Sequence, residues 1–394
     1  MGSQGDHTPQ DENPIDFARV HKVVSAIFDE EIHEKRVLSL ANGAAGAMQA
    51  ATLAVSAIGR ALAQSQGLDP KHAIKQVDRM LSNAGIGVDQ AQALWVPFVV
   101  GAREEIIVAL DWTEYDRDRH ATLALHMVTS HGRATPLMWK TVNKSRLRGK
   151  RNAHEDRLLK RLRAAVPENV KVTVLADRGF GDAGFYALHW DLGLDHVIRF
   201  RGDIIVTIAD GESRPAKGWL LPGGRARILR DVRVTGDKVP VAAVVCVWAK
   251  GMKEPWFLAC GEGSRDKTAA QLVKLYSRRF TIEENFRDTK DLRFGMGLSS
   301  VRISRVGRRD RLLLLSALAT ALLTLLGAAG ESVGLDRTLR ANTVKRRTHS
   351  LFFQGSYYFG ALPNMKEERC APLLQRFDEL LRGQAVFRGL FGVL

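Results

Sequence analysis

The sequence predicts an α/β protein: a mixed β-sheet flanked by helices, carrying an all-β insertion, with a helical domain before it and a helical region after it. Three observations lead there. Residues 16 to about 95 show helical periodicity. Between residues 101 and 200, short β-branched runs bounded by turn residues alternate with amphipathic helices. A second cluster of strands, residues 201–265, then precedes a return to helical patterning. With 394 residues and 45% hydrophobic content, the chain can bury a large core across two or three domains.

The elements follow in order. The opening "MGSQGDHTPQDENP" is polar and lacks an apolar run, so residues 1–15 read as a disordered tail without a secretory signal. "FARVHKVVSAIFDE" has helical rhythm, and "AAGAMQAATLAVSAIGRALAQSQ" is Ala-rich helix material. "LDPKHAIKQVDRMLSN" reads as a helix capped by Asp69 with Pro70 at its first position. Residues 16–100 thus form a compact helical domain whose basic surfaces suit DNA binding.

The pattern then changes. "EEIIVALDWTEYD" places a β-branched run, Ile106 to Leu110, before Asp111. "HATLALHMVTS" and "ATPLMWKTV" read as a hairpin around "HGRA". "AHEDRLLKRLRAAV" is helical, "VKVTVLADRGFGD" is a buried strand ending at Asp177, "DAGFYALHWDLGL" is helical, and "DHVIRFR" is a strand. Residues 101–200 therefore make the first part of the mixed sheet, its first three strands antiparallel and the later ones joined by crossovers. In residues 201–265, "DIIVTIADG", "RARILRDVRV", "VPVAAVVCVWAK" and "PWFLACG" make the β-rich insertion. A helix from about 266 to 290 opens the second part of the core, residues 266–330, and residues 331–394 form the C-terminal helical region. One stretch, "LLLLSALATALLTLLGAAG", is long enough to cross a bilayer. Ser316, Thr320 and Thr324 give it one more polar face, so it reads as a buried helix of a soluble core.

A net charge of +15 points to a polyanionic partner, either nucleic acid or an acidic membrane surface. The three cysteines, Cys246, Cys260 and Cys370, are odd in number, widely spaced and free of any CxxC. They argue against a disulfide framework or a zinc finger and fit a reducing cytoplasm.

The helix "YSRRFTIEENFRDTK", residues 276–290, carries the densest chemistry. On one continuous helix Tyr276, Arg279, Glu283 and Lys290 fall within an arc of roughly 60°. Leu275, Ile282 and Phe286 form an apolar stripe beside them. Spacing alone favours a solvated edge holding Arg279/Glu283 and Glu283/Arg287 pairs, each worth a few tenths of a kcal/mol. Asp111 and Asp177, however, are expected at neighbouring strand ends, where α/β sheets present ligands. Glu283 can join them from a helix docked on the same sheet. An isolated Asp after a strand is most often a turn or cap residue, so the inference rests on the combination. Three converging carboxylates repel one another unless a divalent metal neutralises them, and hard oxygen donors suit Mg²⁺ or Mn²⁺. Two such ions about 4 Å apart support phosphodiester chemistry. Glu284 points about 100° away from Glu283 and reads as solvent-facing or packing.

The order strand, hairpin, helix, strand, helix, strand, insertion and acidic helix resembles the RNase H-like core of DDE transposases. Tyr276, Arg279, Glu283 and Lys290 match, without a gap, the Tyr-Arg-Glu-Lys signature of the insertion sequence 4 family. "ADRGF" at Asp177 and "DWT" at Asp111 look like that family's other blocks, and the similarity runs from about residue 16 to 355. The resemblance implies a metal site of Asp111, Asp177 and Glu283 holding two Mg²⁺ ions, replaceable by Mn²⁺. It implies that Tyr276, Arg279 and Lys290 hold transposon-end DNA. Trp256 resembles a tryptophan that stacks on a base flipped out at that end; sheet core is its other reading, and Trp248 is the second candidate.

The implied activity is cut-and-paste transposition of a bacterial insertion sequence, by end cleavage through a hairpin and strand transfer. The implied partners are double-stranded DNA, both terminal inverted repeats and target, and a second copy of the chain in a synaptic homodimer, with no membrane. The implied place is the cytoplasm, at the nucleoid. The cation-rich "KTVNKSRLRGKR", "RISRVGRRDR" and "KRRTHS" are candidate DNA tracks. Two rival readings are a regulator that occupies ends without cutting and an RNase H-like nuclease without end specificity.

Overall fold

The computed structural model describes residues 15–382 except 29, 30, 102, 130, 132 and 294. The expected tail, residues 1–15, lies outside them apart from Ile15. The chain divides into a helical unit, within residues 15–95 and 287–382, and a sheet unit, residues 96–286.

The helical unit begins with α1 (Phe17–Phe28), α2 (Glu34–Ala50), α3 (Val55–Gln66), α4 (Pro70–Ser82) and the start of α5 (Val88–Val100). The Ala-rich stretch, read as one run of helix, is cut into α2 and α3. Ala51 takes a left-handed conformation at φ 48° and ends α2 by donating its N–H to the Met48 carbonyl. α4 starts where the sequence places it: the Asp69 carboxylate accepts the His72 N–H, and Pro70 costs no helical bond at the first position.

The sheet unit runs β1 (Glu105–Tyr115), β2 (His120–Met127), β3 (Thr135–Asn143), α6 (Arg151–Ala165), β4 (Lys171–Ala176), α7 (Ala183–Asp191) and β5 (Asp195–Phe200). This is the expected order. β1 pairs antiparallel with β2 and parallel with β4, and β4 pairs parallel with β5. The insertion supplies β6 (Ile205–Thr207), β7 (Ser213–Pro215), β8 (Arg227–Val234), β9 (Val239–Val247) and β10 (Trp256–Cys260). It continues the same sheet: β10 lies antiparallel to β5, giving ten strands in the order β3-β2-β1-β4-β5-β10-β9-β8-β6-β7.

The period of two along a strand decides which side chains share a face. Ile107, Ala109, Leu175, Val197, Leu258 and Cys260 share one core cluster with Leu272, Tyr276 and Ile282. Leu272 and Tyr276 belong to α8 (Ala269–Ser277), and Ile282 belongs to α9 (Thr281–Lys290). α8 opens with a capping box between Thr268 and Gln271. The single helix expected over residues 266–290 is not continuous. A 3₁₀ turn, Arg278–Phe280, separates α8 from α9. Such a turn advances about 120° per residue rather than 100°, so the polar line does not pass through it unchanged. Arg279 is instead turned inward, with 7% of its side chain exposed.

The helical unit ends with α10 (Val306–Ser332), α11 (Leu351–Ala361) and α12 (Glu367–Arg382). α10 is long and apolar enough to cross a membrane, yet 83% of its most apolar window is buried inside the protein. It packs on α2, α4, α11 and α12, which explains its composition as that of a central core helix.

Candidate active site

Register brings the first two acids together. The parallel β1–β4 pairing ends at Leu110 opposite Ala176, so Asp111 and Asp177 are the next residue on each chain. Ile107 and Ala109 lie on the face that receives α8 and α9, and Asp111 continues their alternation. Asp111 is not at the end of its strand, because β1 continues to Tyr115 against β2. It lies where the pairing with β4 stops.

Each carboxylate is fixed locally. Asp111 accepts the Trp112 N–H at 2.8 Å, and Asp177 accepts the Gly179 N–H at 2.8 Å in a turn that leads to α7. Arg279 ties the third acid to the first. Its Nη1 donates to Asp111 Oδ2 at 2.9 Å, and its Nη2 to Glu283 Oε1 at 2.6 Å. Glu283 keeps half of its side chain exposed, whereas Asp111 is largely buried. Burial pushes the Asp111 carboxyl up to about 6; Arg279 opposes the rise, and the charges of Asp177 and Glu283 add to it. Glu284, by contrast, forms an ion pair with Arg133 at 3.0 Å on the β2–β3 connection.

Among the described residues no three His, Cys, Asp or Glu side chains are gathered closely enough to hold a metal ion. The donor set nonetheless suits one. Asp177 and Glu283 each raise the proton affinity of Asp111, and a buried guanidinium already supplies the cation this repulsion calls for. Carboxylate oxygens are hard donors, the kind that divalent cations take.

The remaining sequence candidates fall in different places. Tyr276 is 1% exposed and belongs to the core cluster. Burial pushes its hydroxyl up to about 12. Trp256, the first residue of β10, is half-buried, with its ring edge-on to Tyr276 at 5.0 Å and tilted against Phe280 at 6.3 Å. Trp248 is 54% exposed and donates its indole N–H to the Met252 carbonyl. Lys290, the last residue of α9, belongs to the helical unit and lines a depression there with Arg287, Asp291, Leu292, Ser299 and Ser300.

Sequence reasoning missed two connections. It foresaw the Arg279/Glu283 spacing but not the bond from Arg279 to Asp111, which no local pattern encodes. It also passed over Glu155 on α6, which is 3% exposed and accepts the Trp112 indole N–H at 2.6 Å. The Arg151 guanidinium lies over the same indole, 5.1 Å from its centroid. β1 is thereby clamped one residue beyond Asp111. Burial pushes the Glu155 carboxyl up to about 7, with Asp182 adding to the rise. A folded-state value above the unfolded one means the native protein holds the proton more tightly. The resulting stability is full in acid and lost as pH rises through about 7. Between about pH 5 and pH 8 the wild type should lose roughly 2 kcal/mol relative to Glu155→Gln, read by urea unfolding. Parallel pH profiles would show that Glu155 titrates normally in the folded protein.

No curated protein matches the chain. The family model of the transposase DDE domain matches residues 103–322, more than half of the 394 residues, and spans β1, the acids, the insertion, α8 and α9. The ten-stranded mixed sheet flanked by helices is consistent with the RNase H-like fold of such enzymes. With Asp111, Asp177 and Glu283 all inside the matched segment, the chain belongs to the transposase DDE domain family.

Proposed function

We propose that the protein excises and reinserts a bacterial insertion sequence of the Tyr-Arg-Glu-Lys type, cutting the element's ends and joining them to target DNA. The observation that carries the reading is the meeting of Asp111, Arg279 and Glu283 in one ion-paired group, with Asp177 in adjacent register, inside a transposase DDE domain.

Asp111, Asp177 and Glu283 would hold the divalent cations, two Mg²⁺ with Mn²⁺ as a substitute. When bound, these ions supply the positive charge that phosphodiester cleavage and strand transfer require. Backbone amides hold the Asp111 and Asp177 oxygens in place before anything binds, so little reorganisation is left for the reaction. Arg279 and Lys290 would be the phosphate contacts, Lys290 as a point charge and Arg279 as a planar fork freed once divalent cations take Asp111 and Glu283 from it. Trp256 would offer an aromatic face on which a base displaced at the element's end stacks, which would assist a hairpin step, and Tyr276 supports that ring from the core. Synapsis of two ends calls for two copies of the chain, acting at the nucleoid in the cytoplasm. The helical unit's N-terminal segment reads the terminal inverted repeats.

A cleavage assay tests this. The purified protein is incubated with a labelled duplex taken from the flank of its gene, with Mg²⁺ or EDTA. Wild type should nick at the repeat boundary only when metal is present. Asp177→Ala and Glu283→Gln should bind the duplex normally but cut on the order of 10³-fold more slowly, about 4 kcal/mol of barrier. Tight binding without any cut would favour the regulator, and cutting of any duplex at any position would favour the nuclease.

A further inference from the structure

Beside the acids the sheet unit carries a second ion-paired group. Glu254, in the connection between β9 and β10, is bridged by two arginines, one to each carboxylate oxygen. Arg178 Nη1 lies 2.9 Å from Oε2, and Arg199 Nη2 lies 2.8 Å from Oε1. The arginines come from separate elements. Arg178 directly follows Asp177, and Arg199 is fixed in β5 opposite Leu258 of β10. Arg199 also donates to the Pro255 carbonyl at 3.2 Å, which ties the segment leading into Trp256 to the same group.

Three properties mark this as a place for an anion rather than a structural clasp. Two guanidinium groups converge on a single carboxylate, an excess of positive charge over negative. The group opens to solvent, since the Arg178 and Glu254 side chains are 53% and 46% exposed. The Arg178–Glu254 pair, exposed on both sides, adds little stability, about 0–1 kcal/mol. Finally, the Arg199 side chain is only 13% exposed, and its buried Nε has no hydrogen-bond partner. A buried guanidinium donor with nothing to bind is costly in the free protein.

We infer that Arg178 and Arg199 form a binding site for a DNA backbone phosphate, and that Glu254 occupies this site in the free protein as a stand-in for the phosphate. A phosphodiester offers two anionic oxygens where the carboxylate offers two, and arginine pairs well with either. The two arginines hold the Glu254 carboxyl below its usual range, so at neutral pH it competes as a full negative charge. The exchange would couple DNA arrival to the loop that carries Asp177 and to the strand that starts at Trp256. Glu254 would therefore lower the affinity for DNA in general, because a backbone contact carries no sequence information.

The inference rests on the DNA-binding reading above, and one titration separates the two. Full-length protein is titrated into a fluorescein-labelled mixed-sequence duplex at several salt concentrations, in EDTA so that nothing is cut. Glu254→Gln should bind several-fold more tightly, because no carboxylate has to be displaced from the arginines. The Arg178→Gln/Arg199→Gln double variant should bind about tenfold more weakly than wild type. Adding Glu254→Gln to that double variant should bring no gain. Glu254→Ala repeats the first measurement without the amide, and circular dichroism of each variant verifies the fold. Wild-type affinity in Glu254→Gln, or an equal gain without the arginines, would overturn the inference while leaving DNA binding intact. A wild type that bound no duplex at any salt would overturn the DNA-binding reading and the inference with it.

Discussion

Arg279→Met should destabilise the protein by roughly 3 kcal/mol at about pH 8 in EDTA, and the deficit should shrink in acid and in Mg²⁺. Methionine keeps the apolar stem of the arginine without its guanidinium, so the packing of the stem is largely retained. What is lost is the cation shared by Asp111 and Glu283 in two short ion pairs, one of them at a largely buried carboxylate. Breaking one partner out of a buried pair typically costs about 3–5 kcal/mol, because the remaining charge has neither water nor counter-ion. Asp111 has a way to limit that loss. Its carboxyl is already up at about 6 with the arginine beside it, and without the arginine it rises further. The sign follows: a folded-state value above the unfolded one favours the folded protein in acid, and the penalty grows as pH climbs through the new value. A divalent cation binding only the folded state adds stability as RT ln(1 + L/Kd), with L the free cation concentration. In the variant it would enter a site cleared of a competing guanidinium, so Mg²⁺ should stabilise the variant more than the wild type. Urea unfolding at about pH 6 and pH 8, with EDTA or Mg²⁺, reads all of this. Equal stability of variant and wild type in EDTA at both pH values would mean that the ion pairs add nothing and that Arg279 is buried for packing alone.

The prediction also shows where sequence reading stops. The order of strands and helices through β5 was legible because each depends on local periodicity and turn residues, and these survive folding almost unchanged. That Asp111 and Asp177 belong together was legible too, since a crossover between adjacent parallel strands leaves little freedom for their ends. Arg279 was legible only in half. Its spacing from Glu283 is local, whereas its partner Asp111 is 168 residues away. That contact depends on the register of β1 against β4 and on the 3₁₀ turn that rotates residue 279 inward. Tyr276 illustrates the same limit. As one of a polar line it reads as outward-facing, but the interruption of the helix after Ser277 leaves it in the core under Trp256. Glu254 and Arg199 carry no motif, and Arg178 has only its place in "ADRGF", which does not reveal its partner; the three segments meet there because β10 lies antiparallel to β5. Local physics therefore outlines the scaffold, and the charges that tune the site are set by long-range register.

Gly355→Ala should cost about 3 kcal/mol or more, a large effect for one methyl group. Gly355 sits on α11 where a Cβ would overlap the Leu323 carbonyl of α10. The reciprocal position is equally tight, for a Cβ on Gly327 of α10 would overlap the Leu351 carbonyl. The two helices thus meet backbone to backbone through a pair of glycines, and no side chain can swing aside to make room. An added methyl must push the helices apart and open gaps along a well-packed face. Gly360, on the same helix, provides the control, because a Cβ there meets nothing within 4 Å. Gly360→Ala should be neutral or stabilising by up to about 1 kcal/mol, from helix propensity alone. Urea unfolding of the two variants compares contact with propensity at fixed chemistry. If Gly355→Ala matched Gly360→Ala, the close approach of α10 and α11 would be wrong. If it falls far below, the small residues that lend α10 its membrane-like composition are explained by the helix they admit. A long apolar stretch can then be the central support of a helical bundle, with its glycines required by a neighbouring backbone rather than by lipid.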